Sequence, residues 1–215
     1  MIKSRKSWFA HTLGAFVAGV SILALGAAVD ANQRGDARPG QVGTPAPDFT
    51  LTDIHGKEHT LSKYTEEGKI VVLEWFNPDC PFVVKHHSVH RTMAETYAEF
   101  KDEGVVWLAI NSGAPGKQGH GHERNMRAFE EYDMQFPLLL EETSEVGRKY
   151  GALVTPHMYI ICTEGVIRYN GAIDSDRHPT RLGETNYVRQ ALRQVVNGET
   201  VTTAETRAYG CTVKY

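Results

Sequence analysis

Three cysteines, at positions 80, 162 and 211, are the residues of this chain best suited to covalent chemistry. A thiol attacks only as its thiolate, and a helix amino terminus favours that anion through its partial positive charge and free N–H groups. Cys80 has such a placement. The apolar run Ile70 to Phe76 stops at Asn77-Pro78-Asp79, and Pro81 stands where a first helical turn would begin. Beyond it Phe82, Val83, Val89, Met93, Ala94, Tyr97 and Phe100 recur with a helical period. Pro78 and Pro81 stiffen the backbone on both sides, so a stiff turn presents the sulfur. The competing reading is an inert buried cysteine, and the strand, turn, Cys-Pro, helix context weighs against it. Cys162, one residue past an apolar run, reads as a small packed residue.

Histidines offer a second chemistry. His86 and His90, four apart on the same predicted helix, share one face and form a candidate metal pair, with His120 and His122 as a second cluster. Soluble helices carry such histidines without metal more often than with it, so no metal is assigned. The glycine-rich stretch Gly113 to Gly121 lacks the Lys-Ser/Thr ending of a phosphate loop, and no cofactor is called for.

Several elements must position these residues. A hairpin is predicted from Asp48 to Ser62 around Gly56, at a sheet edge. Residues 70–76 form a central strand covered on both faces, followed by one helix to Phe100. Val105 to Ile110 is a second buried strand; a helix at Glu123 to Tyr132 and a strand at Phe136 to Leu140 follow. Thr143 to Tyr150 is a helix ended by Gly151. Met158 to Ile161 and Val166 to Tyr169 make an antiparallel hairpin, and Asn186 to Val196 a closing helix. That order predicts an α/β fold with a mixed central sheet and helices on both faces.

The chain has 215 residues, enough for one ordinary core. Residues 1–31 stand apart: Lys3, Arg5 and Lys6 precede an apolar run from Trp8 to Val29, and small residues follow. That arrangement reads as an export signal, or as an uncleaved anchor using residues 8–29 as a membrane tether. Either places the folded part on the non-cytoplasmic side, periplasmic or secreted. Residues 32–41 read as a linker and residues 42–215 as the domain. Removing residues 1–31 takes away Lys3, Arg5, Lys6 and Asp30, moving the formal charge from −3 to −5, which leaves no basic patch for nucleic acid. Three cysteines in an exported chain leave at least one thiol outside any intramolecular disulfide.

The segment Trp75 to Phe82, with Thr155-Pro156 roughly 75 residues later, resembles the active-site turn and cis-proline loop of the thioredoxin superfamily. Gly43 to Leu51 resembles the opening of redoxin and alkyl hydroperoxide reductase (AhpC/TSA) domains. Gly210-Cys211-Thr212-Val213-Lys214-Tyr215 is similar to the terminal motif of a peroxiredoxin-like subgroup, which also carries a Cys-Pro-Tyr/Phe-Val turn. The resemblance implies a thioredoxin-like fold and a catalytic set of Cys80, Cys211, Asn77, Pro156 and His157. It implies Cys211 as the resolving partner of Cys80, a peroxide or protein disulfide as substrate, and an external thiol reductant. The chain also departs from the pattern. Val83 replaces the second cysteine of ordinary thioredoxins, excluding a local dithiol. Asn77 stands where peroxiredoxins carry Thr; its amide is a candidate donor to a peroxide oxygen. Pro156-His157 stands where they carry Arg, and His157 either supplies a donor near the thiolate or is a polar residue at a strand start. Copper chaperones of the Sco type need a second cysteine where this chain has Val84. The alternatives to an enzyme are a copper-binding protein or a non-catalytic thioredoxin-fold binding protein.

Overall fold

The computed structural model describes residues 38–215; the expected signal or anchor and most of the linker lie outside the described residues. Strand β1 (Thr50–Asp53) pairs antiparallel with β2 (Glu58–Thr60), and α1 (Leu61–Glu66) follows. Next come β3 (Ile70–Trp75), α2 (Pro81–Val84), a π-helical turn (Lys85–Val89) and α3 (Thr92–Phe100). The middle of the chain holds β4 (Val105–Asn111), α4 (His122–Glu131), β5 (Leu138–Leu140) and α5 (Glu145–Tyr150). The last part holds β6 (Val154–Thr155), β7 (His157–Ile161), β8 (Ile167–Gly171), α6 (Tyr187–Val196) and β9 (Cys211–Thr212).

Seven strands form one mixed sheet in the order β2-β1-β5-β4-β3-β7-β8, with β3, β4 and β5 parallel and the other pairings antiparallel. The expected hairpin is the sheet edge. Every residue of β3 is buried, which is why its sequence is nearly continuous in apolar residues rather than alternating. Alternate side chains still feed two cores. Val72 and Phe76 pack with Cys80, Met93, Trp107 and Met158 on one face. On the other, Val71, Leu73 and Trp75 pack with Leu61, Tyr150 and Tyr159. Asn186 caps α6 by accepting from the Arg189 N–H at 2.9 Å.

Helix α1 takes Leu61 and Ser62 out of the expected hairpin, and two further departures from the sequence expectation bear on the site. The single helix predicted from Pro81 to Phe100 is three pieces: α2 passes into the π turn, and Arg91, with φ of 50°, breaks the chain before α3. A wide turn no longer stacks residues four apart on one face. Lys85, His86 and His87 are therefore all buried, one after another. Secondly, β6 and β9 form their own two-stranded ribbon, with Thr155 opposite Cys211. Among the described residues no helix is long and apolar enough to cross a membrane.

Candidate functional site

The loop leaving β3 is built around Asn77. Its side-chain oxygen accepts from the Asp79 N–H at 2.9 Å and its backbone carbonyl from the Cys80 N–H at 3.1 Å, a turn that delivers Cys80 to the start of α2. The Asn77 amide donates to the Gln118 carbonyl at 3.2 Å. Gly119 makes that approach feasible: its φ is +79°, and a Cβ there would lie 2.3 Å from the Asn77 oxygen. Asn111 and Asn125 each donate to the Gly119 carbonyl, at 2.8 and 3.0 Å, so the glycine-rich loop is a fixed wall of the turn. From outside, Tyr132 donates to the Pro78 carbonyl at 2.7 Å and Arg124 to the Asp79 carboxylate at 2.9 Å.

Cys80 is completely buried, its Sγ 3.0 Å from the Thr155 carbonyl oxygen. The Thr155-Pro156 peptide is cis. Across the β6–β9 ribbon Cys211 lies opposite Thr155, whose carbonyl the Cys80 thiol reaches, and it packs against the core that contains Cys80. Burial, and then the neighbouring Cys80 thiol, push the Cys211 thiol up to about 12. It therefore holds its proton at neutral pH. Only glycine fits at position 210, where φ is +148° and a Cβ would lie 2.0 Å from the Thr155 oxygen. The tail continues to dock beyond β9. Val213 N–H donates to the Leu153 carbonyl at 3.0 Å, the Lys214 carbonyl accepts from the Ala114 N–H at 2.8 Å, and the Tyr215 hydroxyl donates to the Ala152 carbonyl at 2.7 Å.

Cys80, Cys211, Asn77 and Pro156 thus converge, and His157 does not. His157 opens β7 on the Trp75 and Tyr159 face of the sheet, opposite the face on which Cys80 packs. Its Nε2 bonds the Asn170 side chain at 2.7 Å, and burial pulls its imidazole down to about 4, so it is neutral. The donor reading of His157 has no geometric support; the strand-start reading fits. Cys162 is buried with its Sγ 3.3 Å from the Arg168 Nε, away from the other two cysteines.

The histidines expected to share a face diverge. His86 Nε2 bonds the Tyr209 hydroxyl at 3.1 Å, His90 bonds the Thr180 carbonyl at 2.9 Å, and His120 pairs with Glu142 at 2.9 Å. Among the described residues no group of three or more metal-ligating side chains converges. Sequence reasoning missed two buried polar groups. Glu74, wholly buried in β3, accepts from His87 at 2.7 Å and Trp107 at 3.3 Å. Lys85, equally buried, meets Asp174 at 3.2 Å and Tyr209. An acid inside an otherwise apolar strand was the available signal for the first. The second joins residues far apart in sequence and had none.

A thiol at a helix start, a cis-proline beside it and a mixed sheet behind it are the arrangement of a thiol oxidoreductase of the thioredoxin fold. The chain belongs to the AhpC/TSA family, whose model matches residues 42–170. It is 30% identical over 148 residues to the thiol-disulfide oxidoreductase ResA of Geobacillus thermodenitrificans, covering 68% of this chain and 78% of that one. It is also 28% identical over 160 residues to the chloroplastic peroxiredoxin Q of Oryza sativa subsp. japonica, covering 70% and 67%. Among solved structures, a hypothetical protein of Sinorhizobium meliloti 1021 superposes with a TM-score of 0.74 at 27% identity, covering 81% of this chain and 94% of that one. A conserved protein of Geobacillus kaustophilus gives 0.71 at 28% identity, covering 82% and 93%.

Proposed function

We propose that this thiol oxidoreductase works through a two-cysteine cycle in which Cys80 attacks the oxidant and Cys211 resolves the product. The observation that carries it is that one residue, Thr155, is paired with Cys211 across the ribbon and bonded through its carbonyl to the Cys80 thiol. With a disulfide as oxidant, the Cys80 sulfur attacks one sulfur, expels the other as a thiolate and forms a mixed disulfide. Cys211 then attacks Cys80, releases the second half of the substrate as a thiol and leaves the Cys80–Cys211 disulfide. With a peroxide, Cys80 becomes a sulfenic acid with loss of an alcohol or water, and Cys211 displaces water to reach the same disulfide. An external thiol reductant supplies two electrons and two protons to restore both thiols.

Disulfide exchange is the reading the surroundings of the sulfur favour. Peroxide cleavage gains from donors aimed at the departing oxygen. The Asn77 amide is already engaged by Gln118, and His157 faces Asn170 on the other side of the sheet. Family membership supports both oxidants, so the test uses both. Reduced protein is mixed with hydrogen peroxide or with a disulfide-bonded peptide, and turnover is followed with a thiol reductant. Faster turnover of the peptide is expected, with Cys80→Ser abolishing it; turnover intact in Cys80→Ser would sink the two-cysteine cycle.

The amino-terminal segment, basic then apolar then small, supports a domain exported or tethered outside the cytoplasm, where a disulfide persists. The family match over residues 42–170, with the tail paired back onto Thr155, supports a domain of residues 42–215 behind a short linker. Amino-terminal sequencing of the mature protein from a fractionated cell distinguishes a cleaved signal from a retained anchor.

A further inference from the structure

Four polar side chains from three distant parts of the chain meet in the interior beside the site. Lys85 and His86 come from the π turn, Asp174 from the segment after β8, and Tyr209 from the tail. All four are at least nine-tenths buried. The Tyr209 hydroxyl donates to the Asp174 carboxylate and accepts from Lys85 Nζ at 3.1 Å and from His86 Nε2 at 3.1 Å. Because the hydroxyl proton is given to Asp174, the His86 proton sits on Nε2, and Nδ1 is a buried lone pair with no partner among the described residues. Lys85 also donates to the Asp176 carbonyl at 2.7 Å, and Asp174 accepts from the Gly183 N–H at 2.7 Å. The Tyr209 ring packs edge-on against Phe82, with centroids 5.7 Å apart.

A buried lysine and aspartate lose so much hydration that well-packed apolar residues would hold the fold at least as well. What such a cluster does provide is a fixed geometry. Both of its ends reach the thiols. Lys85 and His86 lie on the helical run that Cys80 begins, and Tyr209 precedes Cys211 with only Gly210 between them. The ribbon that brings Cys211 in has two residues on each strand, and the bonds of Val213, Lys214 and Tyr215 hold the tail only beyond Cys211, so Tyr209 is the buried polar anchor on its near side.

We propose that Tyr209 is a positioning residue: its hydroxyl, gripped by Asp174, Lys85 and His86, latches the tail so that Cys211 stays against Cys80. The latch thereby sets how readily the two sulfurs form a disulfide. This rests on the two-cysteine reading above. A docked tail raises the effective concentration of one thiol at the other, and that concentration is the intramolecular part of the oxidation equilibrium.

The test equilibrates the protein in glutathione buffers. Two protein thiols and one glutathione disulfide give the Cys80–Cys211 disulfide and two reduced glutathiones, the two electrons passing to glutathione. Acid quenching, alkylation and peptide mass measurement give the equilibrium constant. Tyr209→Phe keeps the ring and loses the hydroxyl; a constant at least tenfold smaller is expected, equivalent to about 30 mV. Tyr150→Phe is the control. It removes a buried hydroxyl that donates to the Pro47 carbonyl at 2.7 Å on the other face of the sheet, and should leave the constant within twofold. A merely structural role would lower the melting temperature of both variants and the equilibrium constant of neither. In the reduced state, N-ethylmaleimide should modify Cys211 several-fold faster in Tyr209→Phe than in the parent. If Tyr209→Phe fails to fold, His86→Met breaks one donor to the same hydroxyl and should move both readouts in the same directions. Equal constants for parent and folded latch variant overturn the latch alone. A parent protein that forms no Cys80–Cys211 disulfide at any glutathione ratio overturns the latch and the two-cysteine cycle together.

Discussion

A carboxyl group in the middle of β3 has no water to turn to, and Glu74 meets that constraint with His87 at 2.7 Å and Trp107 at 3.3 Å. Removing one member of such a buried group leaves the other uncompensated. Glu74→Ala should lower unfolding free energy by about 3 kcal/mol in urea titration, whereas Glu74→Gln, which can still accept from His87, should cost about 1 kcal/mol. The sulfurs allow a second prediction. With the Cys211 thiol pushed up to about 12, iodoacetamide should modify it slowly through pH 9 in the reduced protein, and Cys162 should not substitute for it in any disulfide with Cys80. Cys80 was legible from sequence because everything that places it is local: a strand, a turn with prolines, a helix start. Asn77 was legible as a residue of the site, but its engagement by Gln118 depends on a loop that sequence did not fold. His157 illustrates the limit of position along the chain. Alternation in β7 sends it to the far face of the sheet, and one residue of register decides that.

At the scale of elements, the period-two and period-3.6 patterns located the main strands and helices within a few residues. They failed where an element is short or irregular. A π turn has no sequence period of its own, so Lys85 to Val89 read as ordinary helix and His86 and His90 as one face. The strands β6 and β9 have two residues each and exist because they meet one another. Gly210 is the residue through which that ribbon can be tested. Gly210→Ala combines an unfavourable φ with a Cβ driven into the Thr155 carbonyl, so the tail should leave its place. Two opposite changes are expected in stopped-flow and quenched alkylation: Cys80 should become more accessible to alkylating reagents, while formation of the Cys80–Cys211 disulfide should slow by tenfold or more. A tail that merely shields Cys80 would give the first change without the second.

Among the described residues, His86 and His157 are buried histidines that folding keeps neutral. Burial pulls His157 down to about 4, and pulls His86 down as well, with Lys85, His87 and His90 reinforcing the effect and Asp174 opposing it. Both imidazoles take up a proton when the chain unfolds at acid pH. The stability they contribute is thus fully present above their ordinary value of 6.5 and is lost as pH falls towards 4. Urea titrations should show a folded state about 2 to 3 kcal/mol less stable at pH 5.5 than at pH 7, with His157→Gln reducing that difference by about half. The mixed sheet with two cores was readable from the order of elements, since strands that alternate with helices have few ways to close. How the tail returns to Cys80 was not, because it depends on pairing across more than half of the chain. That separation has a thermodynamic consequence of its own. A Cys80–Cys211 bond closes a loop of over a hundred residues, which in the chain-entropy picture handicaps the unfolded ensemble by about 5 kcal/mol. By reciprocity, the fold strengthens the disulfide by the same amount that the disulfide strengthens the fold. Heat or denaturant, in loosening the molecule, would therefore turn its oxidised form into a stronger electron acceptor.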